Sequence, residues 1–200
     1  KVKIGIRLNP NTDAKTLNQI STGKKDNKFG VNEKTFFQLV NYCKNSNNLE
    51  LKCLSVHIGS QILDHKPYQK MLSVIDKVIK KVNYKFEFID LGGGMGISYN
   101  NDKKKLNYKK YNTTIKKFLK NHKSKIIFEP GRSIVGNTGA LISKIIYIKK
   151  SEKKNFIILD AAMNDLMRPA LYGAAHKTLP STIVNKRSNK TYEFVGPICE

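Results

Sequence analysis

The chain is short of acid, cysteine, arginine and long apolar runs. Of 200 residues only 15 are Asp or Glu, against 37 Lys or Arg, which leaves a formal charge of +22. The three cysteines, Cys43, Cys53 and Cys199, are odd in number and show no C-x-x-C spacing, which excludes a disulfide framework and a simple zinc knuckle. A reducing compartment is the default for such a chain. No stretch approaches the roughly 18 consecutive apolar residues of a membrane span. The opening Lys1-Val2-Lys3-Ile4-Gly5-Ile6 does not read as the charged and apolar regions of a signal peptide. These absences lead us to expect a cytoplasmic protein with no membrane partner and no metal site.

The excess of positive charge invites a nucleic-acid reading, in which basic side chains neutralise phosphates. Arginine, whose planar fork suits phosphate and base edges, supplies only four of the 37 basic residues: Arg7, Arg132, Arg168 and Arg187. Lysine is instead spread along the whole chain beside 20 Asn and 21 Ile, the signature of an A+T-rich coding sequence. We therefore expect no nucleic-acid partner, only the weak attraction to polyanions of any basic surface at low salt.

What is present is an alternation. Lys3 to Leu8, Leu54 to Ile58, Phe86 to Leu91 and Lys125 to Phe128 read as strands, each ending in Gly, Asn or Pro. Between them, Glu33 to Lys44 places Phe36, Phe37, Leu39 and Val40 on one side, and Tyr68 to Val82 repeats Met71, Leu72, Ile75, Val78 and Ile79 near helical spacing. Strands alternating with helices imply a parallel sheet. After Gly139, Ala140 to Ile148, Phe156 to Asp160 and Tyr192 to Val195 read as strands without long helices between them, and Ser181 to Lys190 reads as a loop. The expected class is α/β over residues 1–139, followed by a β-rich region over 140–200. Four β/α units are too few for a closed barrel of about eight, so a small open domain or a fragment of a longer protein is implied. The absence of an initiating Met and the end directly after a strand favour the fragment.

Chemistry-bearing residues cluster at the strand exits. Asp90-Leu91-Gly92-Gly93-Gly94-Met95-Gly96 can turn backbone N–H groups toward one point, as a phosphate cradle does, or can be a tight turn without a ligand. It is neither a dinucleotide fingerprint nor a P-loop. Val56-His57-Ile58-Gly59-Ser60-Gln61 sets an imidazole at another strand end, either structural or part of a site, with Ser60 three residues on. Glu129-Pro130-Gly131-Arg132 reads as a surface ion pair or as a carboxylate and a fork holding two ends of one ligand. Arg168 and Tyr172 are four apart and share a face if that turn is helical; otherwise Arg168 caps carbonyls in a buried loop.

Together these motifs resemble the diaminopimelate decarboxylase family, pyridoxal-phosphate enzymes of the alanine-racemase-like fold. The resemblance runs through Ser21-Thr22-Gly23 with Asn27-Lys28-Phe29-Gly30, His57-Ile58-Gly59-Ser60-Gln61, Leu91-Gly92-Gly93-Gly94, Glu129-Pro130-Gly131-Arg132-Ser133, Met163-Asn164-Asp165 to Tyr172, and Gly196-Pro197-Ile198-Cys199-Glu200. It implies the C-terminal half of a TIM-type (β/α)8 barrel followed by the start of a β-domain, with pyridoxal 5′-phosphate as cofactor. It implies that His57 stacks on the cofactor ring, that Ser60 sits beside the ring or phosphate, and that Gly93, Gly94 and Gly131 donate to the phosphate. Glu129 would pair with the pyridine nitrogen. Arg132, Arg168 and Tyr172 would grip the distal carboxylate of a small-molecule substrate. Cys199, as proton donor, and Glu200, as partner of the distal amino group, would reach the other subunit's site in a homodimer.

No residue here matches the family's Schiff-base lysine, which lies on an early barrel strand, and none of the 33 lysines is assigned to that role. The chain by itself is therefore expected to be inactive. The alternatives are a decarboxylase of the same fold acting on ornithine, arginine or carboxynorspermidine, or a non-catalytic cofactor-binding relative; Gly173 stands where a diamine-forming relative resembling ornithine decarboxylase would need an acidic residue nearby, whereas Arg168 suits a distal carboxylate. For the charge, retention on DNA is expected at low salt and lost by physiological salt; retention that persists there, measured by fluorescence anisotropy, contradicts this reading.

Overall fold

Four short segments rich in Ile, Leu and Val pair side by side in the first part of the chain: β1 (Val2–Arg7), β2 (Leu49–Ser55), β3 (Phe88–Asp90) and β4 (Lys125–Ile127). All neighbours are parallel and the spatial order is the sequence order, β1-β2-β3-β4. The structure, a computed structural model, describes residues 1–16, 21–23, 27–99, 104–183 and 190–198. Order without reversal separates this sheet from a doubly wound one, whose strand order turns back at a switch point. It is the arrangement of consecutive β/α units in a TIM-type (β/α)8 fold. The four strands do not close on themselves, and β1 and β4 are both edges. The chain divides into two compact units, Lys1–Ile97 with Lys103–Thr138, and Ser98–Asp102 with Gly139–Glu200.

Each connection in the first unit carries a helix whose apolar stripe covers one face of the sheet. Helix α1 (Glu33–Asn45) starts where the Asn32 side chain accepts the Thr35 N–H, and it buries Phe36, Val40 and Cys43 at the 4,3 spacing of a single face. Helix α2 (Lys66–Val82) opens on Pro67, whose missing N–H costs nothing in a first turn, and closes on Asn83 in the left-handed region. Met71, Leu72, Ile75 and Val78 form its buried stripe. Helix α3 (Tyr108–Leu119) buries Tyr111, Ile115 and Phe118. The sequence pattern did not single α3 out, because a Thr pair and interleaved lysines dilute its three apolar positions. A single turn, α4 (Arg132–Val135), follows β4.

The strands differ from expectation by one or two residues at their ends, and by more in β2 and β5. β2 begins at Leu49 instead of Leu54 because Leu49 to Leu51 pair with Val2 to Ile4 before a register shift. It ends at Ser55 because the chain beyond turns into loop bonds. In the second unit β5 (Ile145–Lys150) starts five residues later than the Ala140 to Ile148 reading. Residues 143 and 144 instead satisfy the Asp160 carboxylate, through the Ser143 hydroxyl at 2.6 Å and the Lys144 N–H at 2.8 Å. These bonds also hold the Asp160 carboxyl below its usual pKa. β5 forms an antiparallel hairpin with β6 (Asn155–Leu159), which pairs in parallel with β7 (Glu193–Val195). Helix α5 (Arg168–Tyr172) is one turn closed by Gly173 at φ 58°. Among the described residues no helix is long and apolar enough to cross a membrane.

The core of the first unit lies between sheet and helices, where Phe36, Val40, Leu54, Tyr68, Met71, Ile75 and Ile89 are fully buried. Burying an aliphatic or aromatic side chain of this size contributes about 1.5–3 kcal/mol. Ile75→Ala is expected to lower stability by about 2–5 kcal/mol, read as a shift of the urea midpoint; a shift under about 1 kcal/mol contradicts the packing described.

Candidate active site

Register decides which side chains meet. In a parallel sheet, partners across strands share a face and alternate residues point to opposite sides. Arg7 pairs with Ser55, Ser55 with Asp90 and Asp90 with Ile127. Their neighbours Ile6, Leu54, Ile89 and Ile126 belong to the cluster packed under the helices, so this row lies on the other face. Two residues beyond its last three members stand His57, Gly92 and Glu129, just past the C-terminal ends of β2, β3 and β4. That edge is where α/β sites assemble.

The three exits are stitched together. The Asp90 carboxylate accepts the Gly92 N–H through Oδ1 at 2.8 Å and the Ser55 hydroxyl through Oδ2 at 3.1 Å, so a buried acid holds the glycine turn from beneath. The Gly93 N–H donates to His57 Nδ1 at 3.2 Å, and the Glu129 N–H donates to the Gly92 carbonyl at 2.9 Å. Glycine is required at this crossing. Gly92 has φ +64°, and a Cβ there would meet His57 Nδ1 at 2.7 Å, while one on Gly93 would overlap the Glu129 carbonyl oxygen. From the helix side, the Tyr68 hydroxyl donates to the Gly93 carbonyl at 3.0 Å. Burial, with Tyr111 and Tyr108 nearby, raises the Tyr68 pKa and keeps that donor protonated.

His57 is fixed by its backbone as well as its ring. Its carbonyl accepts the Thr22 hydroxyl at 3.0 Å and the Arg7 guanidinium at 3.4 Å, and the Thr22 N–H donates to the Ile58 carbonyl at 3.1 Å. This is the task of the Ser21-Thr22-Gly23 motif. Because Nδ1 accepts a hydrogen bond, the ring is neutral with its proton on Nε2. Burial first, and Arg7 second, lower its pKa; Asp90 opposes them. Ser60 is half-buried and follows Gly59, which bridges Ser21. The roles of Asp90, Thr22 and Tyr68 were not assigned from sequence. Asp90 and Thr22 stood inside quoted motifs, whereas Tyr68 carried no signal beyond its place in an amphipathic helix.

The structure thus brings His57, Gly93 and Glu129 to one edge of one sheet, with Gly94 continuing the turn. Glu129 is exposed. Gly131 precedes α4, and among the described residues a Cβ on it would meet nothing within 4 Å. Neither crowding nor a positive φ demands glycine there, so the open space beside Glu129 is unclaimed by the protein's own packing. Arg132, partly buried, begins α4 and donates to the Gln61 side-chain oxygen at 3.2 Å. Arg168 and Tyr172 belong to the second unit and lie at the two ends of α5. There the Arg168 guanidinium sits 4.5 Å above the Tyr99 ring and 3.4 Å from His176 Nε2. Cys199 and Glu200 lie outside the described residues.

Residues 1–136 match the family described as pyridoxal-dependent decarboxylase, pyridoxal binding domain. The chain belongs to that family. Diaminopimelate decarboxylase of Aquifex aeolicus is 41% identical over 204 residues, covering 100% of this chain and 48% of that protein. The crystal structure of diaminopimelate decarboxylase from Helicobacter pylori complexed with L-lysine superposes with a TM-score of 0.89 at 41% identity, covering 100% of this chain and 50% of that one. The M. jannaschii diaminopimelate decarboxylase, also with L-lysine, gives 0.85 at 32% identity, with 100% and 48% covered. The chain spans about half the length of the curated relatives it matches.

The cofactor of the pyridoxal-dependent decarboxylase family is pyridoxal 5′-phosphate, and the residues present fit it. A neutral imidazole suits an aromatic face, an exposed carboxylate suits a protonated pyridine nitrogen, and the space at Gly131 beside a glycine turn suits a phosphate. The Gly93 N–H is engaged by His57, which leaves Gly94, Gly131 and the Ser60 hydroxyl as the donors to consider. His57 supplies one source of pH dependence. Its folded pKa lies below its unfolded value of about 6.5, so the stability that its neutral form contributes is complete above that value and is lost as pH falls through the folded pKa. An NMR titration of the His57 ring is expected to show a midpoint below about 6.5; a midpoint at or above it contradicts the hydrogen bond assigned to Nδ1.

Proposed function

We propose that the protein to which these residues belong decarboxylates meso-2,6-diaminopimelate to L-lysine. The reading is carried by the meeting of His57, the glycine turn and Glu129 at one sheet edge. It is supported by 41% identity to a diaminopimelate decarboxylase crystallised with L-lysine. Residues 1–139 are read as part of the pyridoxal-binding barrel and 140–200 as the start of the β-domain. The protein is read as a cytoplasmic homodimer with no nucleic-acid partner.

Bound pyridoxal phosphate supplies an electron sink for the pair left behind when a carboxylate departs as CO2. The chain's own residues prepare that step. Glu129 would hold a proton on the pyridine nitrogen through its carboxylate. His57, neutral and pinned through Nδ1 to Gly93, offers a flat ring face without a competing positive charge. Asp90 holds the Gly92 N–H and Tyr68 the Gly93 carbonyl, the two outer ends of the Gly92-Gly93 pair, so the turn is preorganised before a phosphate arrives. Gly94, Gly131 and Ser60 are its donors. Arg132 is assigned to the substrate's distal carboxylate, and Arg168 with Tyr172 carry the same assignment by likeness of motif. Cys199, as proton donor, and Glu200, toward the distal amino group, complete the reading. The lysine that binds the cofactor covalently has no counterpart among these residues.

Glu129→Ala in the full-length holoenzyme is expected to reduce turnover of diaminopimelate about a hundredfold or more with its circular dichroism spectrum retained. Undiminished turnover, or a higher kcat/KM for ornithine than for diaminopimelate, overturns the assignment.

A further inference from the structure

Gln61 closes the motif that begins at His57, and its side chain makes three bonds that the proposed chemistry does not use. Its Nε2 donates to the Ile97 carbonyl at 2.6 Å, and its Oε1 accepts the Ile97 N–H at 3.2 Å. The carboxamide therefore pairs with both backbone groups of one residue, as an antiparallel strand partner would, which settles which end is oxygen. The same Oε1 accepts Arg132 Nη1 at 3.2 Å. The backbone is built to place it. Gln61 sits at φ +62°, a region that side-chain-bearing residues adopt at a cost. The next residue, Ile62, is laced to the segment after the glycine turn: its N–H donates to the Gly94 carbonyl at 2.9 Å, and the Gly96 N–H donates to its carbonyl at 3.0 Å. Gly96 makes the room, since a Cβ there would lie 3.0 Å from Gln61 Oε1 and 2.9 Å from the Gln61 carbonyl carbon.

We infer that Gln61 is a positioning residue that sets the direction of the Arg132 guanidinium, and through it the affinity for a substrate carboxylate. The inference rests on the assignment of Arg132 to that carboxylate. Chemistry explains why an amide suits the place. An arginine fork has five donors in a fixed plane, so an accepting oxygen on a rigid support restrains the direction of that plane. A neutral acceptor does this without cancelling the charge that attracts an anion, whereas a carboxylate would bind the fork more strongly and offset it. A flexible acceptor would fail as well. Gln61 is held at both ends of its amide by Ile97, downstream of the glycine turn, so the turn and Arg132 form one connected unit.

The test is a double-mutant cycle in the full-length holoenzyme, with Gln61→Leu, Arg132→Met and the double variant, measuring KM and kcat for diaminopimelate and the dissociation constant of pyridoxal phosphate. Gln61→Leu is expected to raise KM about tenfold, with kcat and cofactor affinity within about twofold. In the Arg132→Met background it is expected to add nothing further to KM. Gln61→Glu, which keeps the length and the acceptor, is expected to raise KM as well through the added negative charge. An unchanged KM in Gln61→Leu beside a raised KM in Arg132→Met overturns the inference and leaves the assignment of Arg132 standing. An unchanged KM in Arg132→Met overturns both. Additive effects in the double variant, or a loss of cofactor affinity that matches the rise in KM, also overturn it, because Gln61 then supports the turn instead of the guanidinium.

Discussion

The site depends on one constraint, the in-register pairing of four parallel strands. Arg7, Ser55, Asp90 and Ile127 stand opposite one another across β1 to β4, and His57, the glycine turn and Glu129 follow directly from that row. A slip of one residue in any strand would send its exit residues to the helix side. Short strands hold this register only because the other face is occupied. Ile6, Leu54, Ile89 and Ile126 are locked into the layer under the three helices, so the same alternation that buries one set delivers the other to the open edge.

Preorganisation at that edge comes from groups that do no chemistry themselves. Asp90 beneath, Tyr68 from the helix side and Thr22 from the preceding loop each hold a backbone atom of the glycine turn or of His57. Fixing backbone dipoles in advance spares their reorganisation when a charged ligand arrives. Burial of Tyr68 raises its pKa and partial burial of His57 lowers its own. Both shifts favour the neutral form, so near neutral pH this network carries its hydrogen bonds without titrating.

The second unit is organised differently. Its sheet is short and open, with β5 exposed along its length, and polar bonds define its turns: Asp160 to residues 143 and 144, and Asp165 to the Ala162 N–H at 3.0 Å. The Arg168 guanidinium is arranged by an aromatic ring and an imidazole, that of Arg132 by a carboxamide.

The amino-acid sequence by itself determined the alternation of strands and helices, the change of pattern near residue 140, and the strand-end motifs with the family they resemble. These are local properties: apolar period, turn residues and short-range spacing. Helix α3 escaped because its stripe is thin, and the start of β2 because its first residues join the ladder only through Val2 to Ile4. Tertiary structure alone decided which groups Asp90, Thr22, Tyr68 and Gln61 hold. Each reaches a partner 25 to 71 residues distant in the chain. Hydrogen bonds between such partners arise from strand register and helix packing, neither of which leaves a periodic trace in a single sequence.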